Sequence, residues 1–539
     1  MSVQYDKHAP HVEAALERTD SHGSVVGADE LALANMGYKQ EFIREFSNWS
    51  TISFAMAVTG MTPGIMQTMN TPFLLGGPAA VTWCWFIGVF MCLCLGLSIG
   101  EIVSAYPSSG GMYAASAYLV PVRWRPITAW TVGWLNLLGQ LAAFASVQFA
   151  IAQMILATVT VSTAGTFVPS AGVTYATCIG VSVLTGAINS VSTKMMAQFA
   201  KSFVFFNVGT AVVTIIALCI TCDDKQGAAY IFTETLNGSG WNNNGIAFML
   251  GFLMVSWTMT DYDAPAHISE EVQKAAVAAP AAIIISVVGT GSIGWILIII
   301  YVMCSGPLAE LDGGVSGYVA AQILIRNLST KGFYVIWSLT IITLFQAGIA
   351  ILTATSRSAF AFSRDGGMPD RGLFARLAAN KIPIYAVWLT VLCNALLCLL
   401  DFASLVAIEA IFAMTALALD TSYVVPIACK VFFRDHPEVQ FKPGPFTLGR
   451  GWLGKAVNLV AVFWTAFIVV ILSLPEYRPV TADNMNYASV VTVAVVGGAL
   501  LWFFLGGRKY YSGPRGSSNA VVERNIEVTE ALDESIDEK

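Results

Sequence analysis

The sequence has little charge for its length. Asp, Glu, Lys and Arg make up 12% of its 539 residues, whereas an ordinary soluble domain contains about 25%. Two stretches, 126–193 and 275–309, contain none of the four, and each is long enough for at least one membrane helix of about 20 residues. With 56% hydrophobic residues and a mean hydropathy of +0.66, the composition excludes an ordinary soluble protein and predicts an all-α, polytopic membrane protein.

Cysteine and histidine occur in patterns that argue against disulfide, redox and metal chemistry. The ten cysteines are scattered through apolar runs without paired spacings, so we interpret them as small buried or lipid-facing side chains. Of the five histidines, only His267 follows an apolar run, and the nearby Glu270 and Glu271 do not complete a metal site. We predict no metal, no cofactor and no catalytic residue, and the net charge of −6 gives no indication of nucleic-acid binding.

Apolar runs of about 20 residues or more, bounded by charged residues, glycine and proline, predict twelve membrane spans. With the N-terminus inside, 20 Lys and Arg residues flank the spans on that side and 4 on the other. Because cytoplasmic loops are enriched in Lys and Arg, both termini are predicted to be cytoplasmic. The predicted spans are 48–69, 79–106, 127–158, 172–190, 201–222, 245–268, 279–305, 333–357, 384–402, 404–430, 453–474 and 487–506.

The two terminal segments differ in composition from the rest of the chain. Residues 1–45 are polar and contain no apolar run that would serve as a signal peptide, and residues 509–539 are acidic. Low hydrophobicity and dense charge leave such segments little to bury. Both are therefore predicted to be disordered cytoplasmic tails.

Two predicted spans, about 200 residues apart, are interrupted by helix-breaking residues. The interruptions are Gly60-Met61-Thr62-Pro63-Gly64 and Thr260-Asp261-Tyr262-Asp263-Ala264-Pro265. A helix broken inside a bilayer frees backbone N–H and C=O groups, which is tolerated only where they line a cavity or bind a ligand. Paired interruptions in corresponding halves are typical of the substrate site of a transporter.

The residues at the interruptions suggest which ligand groups they bind. N–H groups exposed by the turn at Gly60 would bind a carboxylate, unless the turn is only a kink for close packing. Freed carbonyls with Asp261 or Asp263 would bind an ammonium group, unless these residues only cap a helix. Ionisable residues at membrane depth are costly and usually functional, so a proton relay or gate is the hypothesis for His267, Glu270 and Glu271. The alternative is that these three residues lie at the solvated cytoplasmic end of the span and have no role in transport.

Polar residues in other spans have weaker assignments. Glu101 lies at the inner end of the second span, and Glu409 and Asp420 lie on the tenth. Each is a candidate gate or proton site, or else pairs with a neighbouring helix. Asn136 and Gln140 share a helical face at i, i+4, where they would contact a polar substrate or form hydrogen bonds between helices.

Four segments together resemble the amino acid, polyamine and organocation transporters. The resemblance covers roughly residues 40–510, and it is strongest to the amino-acid/choline branch that includes the GABA permeases. That branch is indicated chiefly by TDYDAPAHISEE (260–271) and VGWLNLLGQ (132–140). The four segments are GMTPG (60–64), GEIVS (100–104) running into PSSGGMY (107–113), DYDAPAHISEE (261–271) and SRSAFAFSRDGGMP (356–369).

The resemblance implies a leucine-transporter-like fold with two inverted five-helix repeats and transport by alternating access. The repeats would be 46–222 and 245–430, separated by an extracytoplasmic loop at 223–244 and followed by two peripheral helices within 431–508. Helices one and six would carry the interruptions. The residues implied to bind substrate are Thr59, Gly60, Met61, Thr62, Pro63, Gly64, Ile65, Ser256, Trp257, Thr260, Asp261 and Asp263. The residues assigned to gating or proton coupling, from the sequence and the resemblance together, are Glu101, Asn207, His267, Glu270, Arg364 and Asp365.

One departure from relatives leaves the energy source open. Several relatives place a lysine in the body of helix five, but here Lys201 lies only at its cytoplasmic entrance and Asn207 is the nearest polar residue inside. Lineage favours proton symport, and uniport or exchange remain alternatives.

The substrate class also has alternatives. A zwitterion, from a short amino acid to 4-aminobutyrate, would use both interruptions, whereas choline or a polyamine would use only the cation-binding one. A nutrient sensor of the same fold would be expected to carry a longer signalling extension, and a channel would need a continuous polar pore ring. The plasma membrane is expected rather than the vacuole.

Overall fold

The computed structural model describes residues 27–515 apart from 440 and 483. This part of the chain is helical, and its only isolated β-bridge joins Phe46 to Val272. The α-helices, in chain order, are α1 (Ala28–Asn35), α2 (Asn48–Val58), α3 (Met61–Thr68), α4 (Pro78–Ala105), α5 (Gly111–Tyr118), α6 (Arg125–Ser162), α7 (Ala171–Asn189), α8 (Thr193–Thr221), α9 (Ala228–Thr233), α10 (Asn244–Leu250), α11 (Phe252–Met259), α12 (Ala264–His267), α13 (Ala275–Met303), α14 (Val319–Arg364), α15 (Ile384–Leu397), α16 (Leu405–Phe433), α17 (Trp452–Ile471) and α18 (Ala488–Leu505).

Within the described residues, ten helical segments are long and apolar enough to cross a membrane. They include α4, α6, α7, α8 and α13 in the first part and α14 to α18 in the second, with α14 kinked at Ser329, where φ is +65°. The prediction of an all-α polytopic membrane protein is confirmed. The predicted spans 48–69 and 245–268 fall on shorter helices, so the count of twelve stays a prediction.

Those shorter helices are separated at the glycine and aspartate positions. Gly60 has φ +40° between α2 and α3, a left-handed conformation that suits glycine. Between α11 and α12, Thr260 is extended and Asp261 has φ +63°, which is uncommon for a residue with a side chain. Pro63 and Pro265 each lie in the first turn of the next helix, where a missing N–H costs little.

The helices pack closely because small residues face large ones. A Cβ added at Gly88 of α4 would lie 2.3 Å from Val255 of α11, and one added at Gly139 of α6 would lie 2.5 Å from Leu419 of α16. Small residues at such contacts let helices approach closely in membrane proteins. α2 packs against α8, α13 and α14, so the first interruption lies deep in the bundle.

The N-terminal segment corrects one prediction. Residues 27–45 are ordered rather than a disordered tail: α1 forms, and Leu33, Phe42 and Phe46 are buried. Scattered apolar residues in this polar stretch anchor it to the bundle, and composition alone underestimated them. Within 509–515, Tyr511 is buried whereas Lys509 and Tyr510 are exposed, and the predictions for 1–26 and 516–539 lie outside the described residues.

The two ends of the bundle differ in charge. The end against which the N-terminal segment packs carries Arg44, Arg125, Arg364, Lys430 and Arg508, and we refer to it as the basic end. The opposite end is formed by the connections 163–170, 223–243, 304–318 and 472–487.

Candidate functional site

Both helix interruptions line one small cavity in the centre of the bundle. Its volume is about 20 Å³, which suits one or two water molecules rather than an amino acid. A larger ligand would therefore require the surrounding helices to move apart. The lining residues are Val58, Thr59, Gly60, Gly64, Ala143, Ser146, Val147, Trp257, Thr258, Thr260, Asp261, Leu344, Ala347, Ile351 and Thr415.

Two helix ends of opposite polarity meet at this cavity. α3 begins beside it at Met61, and the first N–H groups of a helix have no intrahelical acceptor and carry partial positive charge. α11 ends beside it at Met259, where the last carbonyls carry partial negative charge. The pair suits a ligand with a carboxylate at one end and an ammonium group at the other.

Several polar atoms around the cavity lack a hydrogen-bond partner within the described residues. They include the hydroxyls of Thr258 and Thr260 and the Oδ2 atom of Asp261, all in buried side chains. Asp261 Oδ1 accepts a hydrogen bond from Gln140, whose own oxygen accepts one from Thr355 over 3.0 Å. Buried polar groups normally have partners, so these atoms are available to hydrogen-bond water or a polar ligand in the cavity.

Trp257 separates the central cavity from a larger one. Its indole N–H donates to Ser146 over 3.0 Å, and its ring centroid lies 5.0 Å from that of Phe412. Beyond Phe412 a cavity of about 870 Å³ extends toward the opposite end, between Gln67, Gly317 and other residues of that side. We refer to this larger cavity as the vestibule.

Asp263 does not line the cavity and instead organises a polar network toward the basic end. It accepts hydrogen bonds from Tyr423 and, over 3.2 Å, from Asn136. His267 Nε2 lies 3.1 Å from Asp263 Oδ2, and its Nδ1 lies 3.1 Å from the Ser109 carbonyl oxygen. Asn136 therefore bonds between structural elements, as Gln140 does with Asp261, which is the second of the two alternatives predicted for this pair.

Buried ion pairs close the basic end beneath the network. Arg364 donates to both carboxylate oxygens of Glu270, over 2.9 and 3.1 Å, and Arg357 donates to Glu271 over 2.7 Å. Asp365 accepts hydrogen bonds from Tyr38 over 2.7 Å and from Tyr113 over 3.0 Å. We define Glu270, Glu271, Arg357, Arg364 and Asp365 as the basic-end cluster. It joins α14 to the chain after α12 and to the N-terminal segment.

Two residues assigned to gating or coupling lie elsewhere. Glu101 forms a buried ion pair with Lys430 and accepts hydrogen bonds from Thr447 and the Leu448 N–H. It therefore fastens the loop after α16 to α4. Asn207 donates to the Met56 carbonyl near the end of α2, which ties α8 to the first interruption without reaching the cavity.

The cavity contains half of the residues predicted to bind substrate. Thr59, Gly60, Gly64, Trp257, Thr260 and Asp261 line it, while Met61, Thr62, Pro63, Ile65, Ser256 and Asp263 do not. The sequence reasoning missed Thr258, Ser146 and Thr415. Thr258 lies inside the predicted run, but the direction of a side chain on an apolar helix cannot be inferred from periodicity when the helix is buried on all sides.

Comparison with known proteins gives consistent matches over nearly the whole chain. A family model described as amino acid permease matches residues 46–496. An uncharacterized amino-acid permease of Schizosaccharomyces pombe is 40% identical over 511 residues, covering 94% of this chain and 92% of the relative. Amino-acid permease 2 of Neurospora crassa is 33% identical, with 96% and 94% covered, and amino-acid permease BAT1 of Arabidopsis thaliana is 33% identical, with 91% and 97% covered.

A solved structure shares the fold at low identity. It is a crystal structure of a manganese transporter of Eremococcus coleocola, which is 10% identical and covers 86% of this chain and 95% of its own, with a TM-score of 0.53. At that identity the similarity concerns the fold alone.

Proposed function

Since the chain belongs to the amino acid permease family, it is a multi-pass membrane protein of a family of amino acid transporters, and we propose that it moves amino acids by alternating access, coupled to protons. Its family and relatives indicate a transporter rather than an enzyme. The proposed substrates are zwitterions, from short amino acids to 4-aminobutyrate.

One observation carries the proposal: the cavity lies between the N-terminal end of α3 and the C-terminal end of α11. The substrate carboxylate would accept hydrogen bonds from the N–H groups that begin α3. The ammonium group would bind the free Asp261 oxygen and the last carbonyls of α11. Thr258 and Thr260 supply the unpaired hydroxyls that complete a polar shell.

We place the interrupted segments in the membrane as spans one and six of a twelve-span protein. The ten long apolar helices would supply the other spans, and the repeats would be 46–222 and 245–430. The excess of Lys and Arg at the basic end favours a cytoplasmic position for that end and for both termini. We propose the plasma membrane rather than the vacuole as its location.

The coupling proton would be carried between the cavity and the basic end. Asp261, Asp263 and His267 are titratable, fully or almost fully buried, and arranged in that order along the chain. Lys201 on α8 is exposed and is not part of the proposed path. We propose that protonation of this set loosens the basic-end cluster and permits release toward the cytoplasm.

A cationic substrate is the second candidate because of one feature. The Trp257 ring and the Asp261 carboxylate line the same cavity, and an aromatic face beside a carboxylate suits an organic cation such as choline or a polyamine.

Uptake into proteoliposomes tests the proposed function. Radiolabelled alanine and 4-aminobutyrate are supplied with and without an inward proton gradient, and the competitors are glutamate, lysine, choline and spermidine. Gradient-stimulated uptake that amino acids block is expected. Uptake blocked only by choline or spermidine would identify the cationic alternative, and saturable binding without uptake would indicate a sensor.

A further inference from the structure

Another cavity, lined by several basic residues, lies at the basic end, between the start of α6 and the end of α18. Its volume is about 690 Å³, more than the central cavity and large enough for a phospholipid headgroup. Among the described residues that line it, none is acidic and four are basic, namely Arg123, Arg125, Arg508 and Lys509. The arrangement favours an anionic ligand.

Among the described residues, the acidic Glu438 lies at the edge of this cavity. Glu438 accepts a hydrogen bond from the Val122 N–H over 3.0 Å, and its carbonyl oxygen accepts one from Arg125 over 3.3 Å. Arg125 is therefore partly engaged with that loop. Arg123, Arg508 and Lys509 are exposed and remain available on the open side.

The surface next to the cavity is apolar and uncovered by the described protein. On α18, Leu501 is 61% exposed, Phe504 53% and Leu505 68%, as expected for a helix that faces lipid. Trp124 and Tyr510 lie at the rim and are about half exposed, and such aromatic residues are enriched at the membrane interface. A ligand at this place would contact the basic side chains of the cavity with its polar part and the exposed apolar face of α18 with its apolar part.

We propose that this cavity binds the headgroup of an anionic phospholipid, with its acyl chains along the exposed face of α18. The phosphate would contact Arg508, Lys509 and Arg123. The leaflet assignment rests on the proposed orientation, which places the basic end at the cytoplasmic face, where anionic lipids attract basic residues. Inorganic phosphate shares the headgroup chemistry but not the need for an apolar surface.

The contacts around the cavity would let a bound lipid stabilise the C-terminal segment. Tyr511 is buried, with its ring 5.1 Å from Trp130 and 6.3 Å from Phe362. Further along, Arg515 donates to the Arg364 carbonyl over 3.0 Å. A lipid bound to residues 508–510 would therefore also stabilise the contacts that Tyr511 and Arg515 make with α14.

Lipid binding to the purified full-length protein in detergent tests the proposal. The thermal midpoint is followed while dioctanoyl phosphatidylserine, dioctanoyl phosphatidylcholine or inorganic phosphate is titrated. Saturable stabilisation by phosphatidylserine is expected, with little from the other two. The double variant Arg508→Gln/Lys509→Gln should bind at least tenfold more weakly, because each basic residue near an anionic surface contributes about a fivefold factor.

The matched control is Lys194→Gln/Lys381→Gln, which removes the same charge from exposed positions outside the cavity and should leave the affinity unchanged. Arg123→Gln serves as a second test if the double variant is not monodisperse. Equal stabilisation by phosphatidylcholine, equal stabilisation by phosphate, or an unchanged affinity of the cavity variants would each overturn the proposal. Because no transport is measured, these results are independent of the proposed function.

Discussion

At the scale of single residues, Asp261 has the most unusual combination of features. It has φ +63° without being glycine, it is 1% exposed, and one carboxylate oxygen has no partner among the described residues. A left-handed backbone at a residue with a side chain costs about 1–3 kcal/mol and persists only where the surrounding structure holds it. Gln140 donates a hydrogen bond to the other carboxylate oxygen of Asp261. This hydrogen bond fixes the orientation of the carboxylate and therefore the position of its free oxygen.

Asp261→Asn should raise the KM for amino acid uptake about 10- to 100-fold, because a hydrogen bond to a charged group contributes about 1.5–3 kcal/mol. The measurement is the concentration dependence of uptake in proteoliposomes. Asp401→Asn is the control, since Asp401 lines the vestibule rather than the central cavity. An unchanged KM for Asp261→Asn would remove this carboxylate from the substrate site.

Gly64→Ala should abolish uptake while leaving the protein folded. The added Cβ would lie 2.6 Å from the Thr258 methyl and 2.7 Å from its hydroxyl, so α3 and α11 would be forced apart at the cavity. Thr258→Ala in the same chain should restore part of the activity by removing both atoms. Gly209→Ala on α8, with nothing within 4 Å of the added Cβ, is the control, and loss of uptake there would show that glycine loss itself is harmful.

At the scale of elements, the sequence indicates where the short helices on either side of Gly60 and Asp261 end, but it does not indicate which other helices they contact. Glycine and proline within an apolar run indicate a broken helix through backbone chemistry alone. The identity of the residues on α6, α14 and α16 that complete the cavity depends on how those helices rotate in the bundle. Their apolar residues cover every face, so no periodicity marks the side that points inward.

The structure of the N-terminal segment was also not predictable from its local sequence. Its composition is typical of disorder, yet Tyr38 donates to Asp365, and Arg44 donates to the backbone carbonyls of Ser269 and Val272. These contacts connect residues more than 200 positions apart, and local sequence carries no information about them. The segment belongs to the closure of the basic end.

Glu270→Gln should open the basic end. The substitution removes the carboxylate to which the buried Arg364 guanidinium donates two hydrogen bonds, and breaking a buried ion pair typically costs about 3–5 kcal/mol. Ser109 is fully buried and its N–H donates to Glu270, so a cysteine introduced there by Ser109→Cys reports opening. Its alkylation rate, measured by peptide mass spectrometry, should rise at least tenfold in the Glu270→Gln background.

A surface ion pair provides the control for that comparison. Glu310 pairs with Arg326 over 2.9 Å near the opposite end, and their side chains are 64% and 38% exposed. Exposed pairs contribute little, so Glu310→Gln should leave the alkylation rate at position 109 unchanged. Equal rates in both backgrounds would show that the buried pair does not hold the basic end closed.

At the scale of the whole molecule, the two ends are closed to different degrees. A vestibule of about 870 Å³ lies on one side of the central cavity, while the other side is filled by the polar network and the basic-end cluster. This asymmetry fits a transporter closed at its proposed cytoplasmic face. Composition and charge distribution were enough to predict a membrane protein, because apolar segments face lipid and charged segments face water. The closure of the basic end was not predictable, because it depends on contacts between residues that are far apart in the sequence.

A structure of the protein with a transported amino acid bound would show directly which groups hold the two ends of the substrate. We expect the carboxylate within about 3 Å of the N–H groups that begin α3, and the ammonium group beside Asp261 and the end of α11. An amino acid bound only in the vestibule, or bound in the cavity with its carboxylate away from α3, would rule out this substrate site.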